Sequence, residues 1–301
     1  MDLTSKKPLS IKEKMDLSRV LQVMTLDEIG AKAKPRPSEM IFHGGTSIAT
    51  AHGSNRWSED LDFVVTADLM KNLGGLRTRV EKALKLRMKA SMPGAVLELS
   101  DKTGTEEGAP QVGKVDRWLM RWEHPKRRGA IRVKIEFFVT VPECIPAYSV
   151  SIATPRSKGI LATASLPTAD VKALWADKVL AISARESIKW RDLYDLAYLS
   201  QEMSAAGIDR SSAMEDLRIS AEIYNSNLTR IRDGLARDVV VDGLFDLDAY
   251  QADMKKWFSD MEFKAMAASD AFRGQLEYAA EEIRRARAAI LDNENNCDGP
   301  S

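Results

Sequence analysis

Two aspartates, Asp60 and Asp62, flank one leucine in the run SEDLDF, and two adjacent glycines, Gly44 and Gly45, stand shortly upstream in HGGTS. Side chains alternate along an extended segment, so Asp60, Asp62 and Val64 share one face and Leu61, Phe63 and Val65 the other. Like charges side by side on a strand repel unless a cation lies between them. With no His or Cys in that strand, hard oxygen donors point to Mg²⁺ or Mn²⁺ rather than zinc, and Mg²⁺ ordinarily shares its shell with substrate phosphates. The glycine turn opens onto a short helix, TSIATAH. Its backbone N–H groups and close approach suit a phosphate, with the Thr46 and Ser47 hydroxyls as further donors. The expected chemistry is phosphate held at the turn and metal held at the aspartates. A two-metal site usually wants a third carboxylate. RVKIEFF supplies Glu136, on the same face as Lys134 and Phe138.

These residues need elements to hold them. Leu17, Val20, Leu21 and Met24 fall on one helix face within residues 10–29, and KPRPSE ends that helix. MIFHGG reads as a short buried strand running into the turn, and SEDLDFVV as a second strand. Thr66 is a candidate N-cap for ADLMKNLGGLRTRVEKALKLRMKA, which is weakened at Gly74 and Gly75. AVLELS, VDRWLMRWE and IRVKIEFFVTV are extended, separated by the polar loops DKTGTEEGAPQVG and HPKRRGA. The middle one sets Trp118, Met120 and Trp122 against Arg117, Leu119 and Arg121. From Pro167 the pattern turns helical, with Thr168 as candidate N-cap of ADVKALWADKVLAISARE, then WRDLYDLAYLSQEM and further amphipathic segments. The expected architecture is an α/β domain over 1–166, an α-helical domain over 167–292, and a disordered tail, NENNCDGPS, over 293–301.

Forty-four basic residues cancel forty-four acidic ones. No global field therefore draws the chain to nucleic acid or membrane, and such a partner must be held by local patches. Lys126, Arg127 and Arg128 of HPKRRG, with Arg117 and Arg121 on the adjoining strand, are the best local candidates for a phosphate-backbone patch. A loop of this composition is more often simply solvated. Cys144 and Cys297 make no metal spacing and no disulfide framework, which fits a reducing cytoplasm. The N-terminus carries no apolar signal core and no run of about 18 apolar residues occurs, so neither export nor membrane spanning is expected.

The string HGGTSIATAHGSNRWSEDLDF resembles the signature of the DNA polymerase β-like nucleotidyltransferases. It is most similar to the AbiEii/AbiGii toxin family, in which a GGT turn precedes an arginine–aromatic–SEDLDF block. ADKVLAI and RDLYDL are similar to that family's later motifs, a lysine in a helix and then an RD-x-x-D helix, and the resemblance spans residues 41–199. Trp57 stands where phenylalanine is usual, and KIEF where many members carry Asp.

The resemblance implies a mixed-sheet nucleotidyltransferase core with the active site in a cleft shared with the helical domain. Gly44, Gly45, Thr46 and Ser47 would hold the triphosphate, and Asp60 and Asp62, with Glu136, the metals. Lys178, Arg56 and Arg191 would meet phosphate, and Asp192 and Asp195 would serve the nucleotide or the metal-bound site. In the implied reaction an NTP binds with two Mg²⁺ ions, an acceptor hydroxyl attacks the α-phosphorus, and pyrophosphate leaves. The acceptor expected is RNA, at the 3′ end of tRNA, and the setting a bacterial toxin–antitoxin or phage-abortive system with a cognate antitoxin.

Alternatives are a small hydroxylated acceptor such as an aminoglycoside, a protein side chain, or a nucleotide-binding module without turnover. Without the resemblance, Lys178 reads as a surface lysine near Asp177 and Glu186. Arg191 then reads as the i, i+4 partner of Asp195, and Arg56 pairs with Glu59 or Asp60 as readily as with phosphate.

Overall fold

A computed structural model describes residues 6–72, 75–103, 111–157, 159–236 and 246–297. After a short strand β1 (Lys7–Pro8), Ser10 starts helix α1 (Ile11–Ala33) with a capping box: its hydroxyl accepts the Glu13 N–H at 3.2 Å, and its own N–H donates to the Glu13 carboxylate at 2.8 Å. Strand β2 (Met40–His43) runs into helix α2 (Gly44–Thr50), and β3 (Leu61–Thr66) into α3 (Ala67–Asn72). Thr66 caps α3, its hydroxyl accepting the Leu69 N–H at 3.2 Å.

The glycine pair does more than weaken a helix. Gly75, with φ of 72°, precedes a separate helix α4 (Leu76–Ser91), while Gly74 lies outside the described residues. Strands β4 (Val96–Asp101), β5 (Val115–Glu123), β6 (Arg127–Arg128) and β7 (Ala130–Thr140) follow, then α5 (Cys144–Ala147), β8 (Val150–Ala153), β9 (Arg156–Ser157), β10 (Ile160–Leu161) and β11 (Leu166–Ala169).

Among the described residues the main sheet has seven strands in the order β4-β5-β7-β3-β2-β11-β8. It is mixed: β3 runs antiparallel to β2 but parallel to β7, and β5 antiparallel to both β4 and β7. One face is a wall of apolar side chains. Leu61, Phe63 and Val65 of β3 are fully buried, Phe63 stacks on Phe137 at 5.1 Å, and Trp118 meets Phe137 edge-on at 4.7 Å. Leu21, Leu26 and Ile29 of α1 and Val80 and Leu84 of α4 complete that core. The opposite face carries Asp62 and Glu136, which are register partners across β3 and β7.

The chain divides into two compact units. Met1–Gly53, Trp57–Pro146 and Val150–Thr168 form the first; Ser54–Arg56, Ala147–Ser149 and Ala169–Ser301 form the second. Thr168 does not cap the helix expected after it, because it sits in β11 paired with Phe42 of β2. Asp170 takes that role at the head of α6 (Val171–Ala184), its carboxylate accepting the N–H groups of Lys172 and Ala173.

In the helical unit α7 (Trp190–Ala205), α8 (Met214–Ile223), α9 (Leu228–Leu235), α10 (Leu247–Met254), α11 (Asp260–Ala268) and α12 (Ala271–Cys297) follow α6. Buried α6 lies among α7, α8 and α9. The Trp175 indole N–H donates to Glu282 at 3.2 Å, and Arg210 grips the same fully buried carboxylate. Helix α12 continues to Cys297, into the stretch expected to be a disordered tail; Asn and Glu tolerate helix, and buried Ile290 anchors the preceding turns. Residues 298–301 lie outside the described residues.

Candidate active site

In the α/β unit the site begins at the β2–α2 junction. Gly44 has φ of 78°, and a Cβ on it would lie 3.1 Å from both Cβ and Cγ of Asp62, with the carboxylate oxygen closer still. Only glycine lets β3 bring that carboxylate against the turn. Thr46 and Ser47, expected as phosphate donors, are buried, and each hydroxyl has a backbone acceptor: Thr46 donates to the Asp60 carbonyl, Ser47 to the Gly44 carbonyl at 2.8 Å. They brace the turn. The backbone of Gly44 and Gly45 and the first N–H groups of α2, which no intrahelical carbonyl satisfies, offer donors to a phosphate.

Gln22 of α1, which sequence reasoning did not single out, donates its side-chain amide to the carbonyls of Ser58 and Glu59 at 2.8 and 3.1 Å. It holds the loop that delivers Asp60. A lone glutamine in an amphipathic helix gives no signal of such a role.

Lys134 approaches Asp60 at 3.7 Å, a half-solvated pair worth little by itself. Glu136 shares its face with Asp62, its register partner across β3 and β7. The Arg117 guanidinium takes its carboxylate at 2.9 Å, and among the described residues no three His, Cys, Asp or Glu side chains converge as a metal site. Asp60 and Asp62 nonetheless match the donor chemistry of Mg²⁺, whose remaining positions are ordinarily filled by water and phosphate oxygens. Arg121, the other arginine of that strand, pairs with Glu123 at 2.6 Å, so neither arginine is left to extend a basic patch.

In the helical unit the lysine and the RD-x-x-D helix meet. Lys178 of α6 is buried rather than on the surface, 2.9 Å from Asp192 and 2.7 Å from Asp195. Asp192 and Asp195 are three apart on α7 and so turn the same way, toward that lysine. Arg56, from the short segment Ser54–Arg56, closes the cluster. Its Nε and Nη2 each donate to Asp195 at 2.7 Å, a bidentate bond between groups almost wholly out of water. Arg185 pairs with Asp192.

Burial alone would raise the Asp195 carboxyl, but the charges of Arg56 and Lys178 outweigh it and hold the group below the usual carboxylate range. For Lys178, burial and the neighbouring Arg56 and Arg185 outweigh Asp195 and push its pKa down. Arg191 does not turn to Asp195. Its guanidinium lies 4.9 Å over the Trp257 ring, and Arg56 lies 5.6 Å from the same ring. Trp257 was not legible as a site residue, since in sequence it is one more apolar position of an amphipathic stretch.

The sequence profile described as the nucleotidyl transferase AbiEii toxin of type IV toxin–antitoxin systems matches residues 31–292. The chain belongs to that family. Among solved structures it is similar to MenT4, the nucleotidyltransferase toxin Rv2826c from Mycobacterium tuberculosis H37Rv, at 16% identity over 93% of this chain and 94% of that one, with a TM-score of 0.52. It is also similar to JHP933 from Helicobacter pylori, at 15% identity over 96% and 98%, with a TM-score of 0.48. No curated protein matches. An AbiEii-family chain is a nucleotidyltransferase, and the MenT4 likeness supports the same fold, a mixed sheet followed by helices. The family motifs fall on the elements just described: the glycine turn at β2–α2, the two aspartates at β3, the lysine on α6 and RD-x-x-D on α7. Among the described residues no helix is long and apolar enough to cross a membrane.

Proposed function

We propose that the protein transfers a nucleoside monophosphate from an NTP to a hydroxyl of an RNA acceptor, the 3′ end of a tRNA. This transfer is the toxic activity of a cytoplasmic toxin–antitoxin system that includes a cognate antitoxin. The observation that carries the reading is the Asp62 carboxylate seated against Gly44 at the head of α2, with Asp60 two residues before it. A glycine turn suited to phosphate and two hard oxygen donors stand side by side there, which supports the reading.

In the reaction the acceptor oxygen bonds to the α-phosphorus, the bond from that phosphorus to the bridging oxygen of pyrophosphate breaks, and the hydroxyl proton passes to solvent. The Gly44–Gly45 backbone orients the phosphates. Lys178 and Arg191 of the helical unit serve the same reaction by countering phosphate charge, with Asp192 and Asp195 setting the lysine's direction. Mg²⁺ held by Asp60 and Asp62 would polarise the phosphate and stabilise its developing charge.

The test is incubation of the purified protein with Mg²⁺, each α-labelled NTP in turn and total bacterial tRNA, beside an Asp60→Ala, Asp62→Ala variant. Label on tRNA that disappears in the variant is the expected result. Label retained by the variant overturns the site. Pyrophosphate release without RNA labelling transfers the acceptor role to a small molecule or a protein side chain.

A further inference from the structure

Two basic stretches far apart in the sequence are brought together in the α/β unit. Strand β1 pairs in parallel with β6, setting Lys7 against Arg127 and Pro8 against Arg128, and the Leu9 N–H donates to the Arg128 carbonyl at 3.2 Å. Residues 6–16 and 124–128 together hold seven Lys and Arg side chains and two carboxylates, Glu13 and Asp16. Arg127 neutralises Glu13. Lys7, Lys12, Lys14, Lys126 and Arg128 are exposed, and none has a carboxylate partner among the described residues.

In a chain whose formal charge is zero this is a concentrated positive surface. Lys12 and Lys14 also sit in the first turn of α1, where the helix dipole disfavours cations, so their placement does not serve the helix. Except for the loop, the patch lies ahead of the residues matched by the family profile.

Beside the patch runs a cleft of about 440 Å³ whose lining is apolar at Leu9, Leu17, Val20 and Trp122 and carries two carboxylates, Glu13 and Asp16. Trp122 and Arg127, which also line it, carry N–H donors, Nε1 and Nε, that are buried with no acceptor among the described residues. A buried donor in that state is costly and calls for a partner. Phosphates would meet the lysines. An unstacked base would bring flat apolar faces to the cleft and to the Trp122 ring, which a lipid headgroup or a fully stacked duplex does not.

We infer that this surface binds single-stranded RNA, the phosphates on Lys7, Lys12, Lys126 and Arg128 and one base in the cleft. It is a docking surface for the RNA acceptor, and in that role it rests on the transfer reading above.

The experiment is fluorescence anisotropy of fluorescein-labelled oligouridylate against the full chain and a Lys7→Ala, Lys12→Ala, Lys126→Ala, Arg128→Ala variant, over a range of salt. The expected loss of affinity is about tenfold or more near physiological salt, with the dependence on log salt flattened by about 0.7 per lost contact. The Asp60→Ala, Asp62→Ala protein is expected to bind like the unmodified one, and a duplexed RNA of the same length more weakly. Unchanged affinity and slope in the charge variant overturn the inference, as does competition by phosphatidylserine vesicles equal to that of RNA. RNA binding that depends on the patch, in a protein that labels no RNA, supports the surface and removes only the acceptor assignment.

Discussion

The Asp62 carboxylate occupies the space that a Cβ on Gly44 would need. Gly44→Ala would force a positive φ on an L-residue and push that carboxylate away from the turn, two costs that add. The expected outcome is a loss of nucleotidyl transfer of at least tenfold, with about 1–3 kcal/mol of stability lost. Gly45→Ala has no positive φ to satisfy and so leaves out the backbone strain that Gly44→Ala introduces. Equal activity in the two variants would disconnect the turn from the aspartate.

Arg56 and Asp195 bond bidentately with both side chains almost wholly buried. Lys178 remains 2.7 Å from Asp195 when Arg56 is removed, so Arg56→Ala loses the two charge-assisted bonds and is expected to cost about 1.5–3 kcal/mol, read by urea unfolding. Its pH dependence has a definite sign. The folded Asp195 pKa is depressed, so its contribution is present above the unfolded aspartate value near 3.9 and is lost as pH falls through the lower folded value. A variant that unfolds at the same urea concentration as the parent would show that the clamp contributes nothing.

Lys178 loses its proton more readily than an ordinary lysine. As pH rises through that lowered value its charge disappears before the usual lysine range near 10.4, and NTP affinity is expected to fall with it. Lys178→Arg should abolish the alkaline limb, because a guanidinium stays charged. Isothermal titration with an NTP across alkaline pH reads both proteins. An unchanged limb in the arginine variant would assign the titration to another group.

Trp257 carries Arg191 on one face of its ring and lies close to Arg56. Trp257→Leu removes a cation–π contact worth about 1–2 kcal/mol, so KM for the NTP should rise about five- to thirtyfold with kcat nearly unchanged. Trp257→Phe should recover most of the loss. If leucine and phenylalanine variants behave alike, the ring is only packing.

The local elements around the site were legible because each is written in a short repeat. Period-two alternation marked β3, β5 and β7, the i, i+3, i+4 pattern marked α1, and glycines at a strand end marked the turn. The cap was misread where a long-range partner decided. Thr168 has a capping side chain but is a strand neighbour of β2, and the backbone acceptors of the Thr46 and Ser47 hydroxyls are not visible in spacing. Glu136 was placed on the right face, but its chemistry depends on Arg117, which comes from a different strand.

The amino-acid order by itself determined that a glycine turn precedes two aspartates and that a lysine helix and an RD-x-x-D helix follow. Those are properties of local spacing. Only Asp62 of the two aspartates lies in β3, with Asp60 in the loop just ahead of it. Which charges neutralise one another was decided only by the tertiary structure. Arg56 lies 139 residues from Asp195, Lys178 is 14 from Asp192, and Lys7 meets Arg127 only through strand pairing. Burial then sets what each pair is worth, because a contact that is weak in water becomes strong and shifts protonation once the fold has taken the water away.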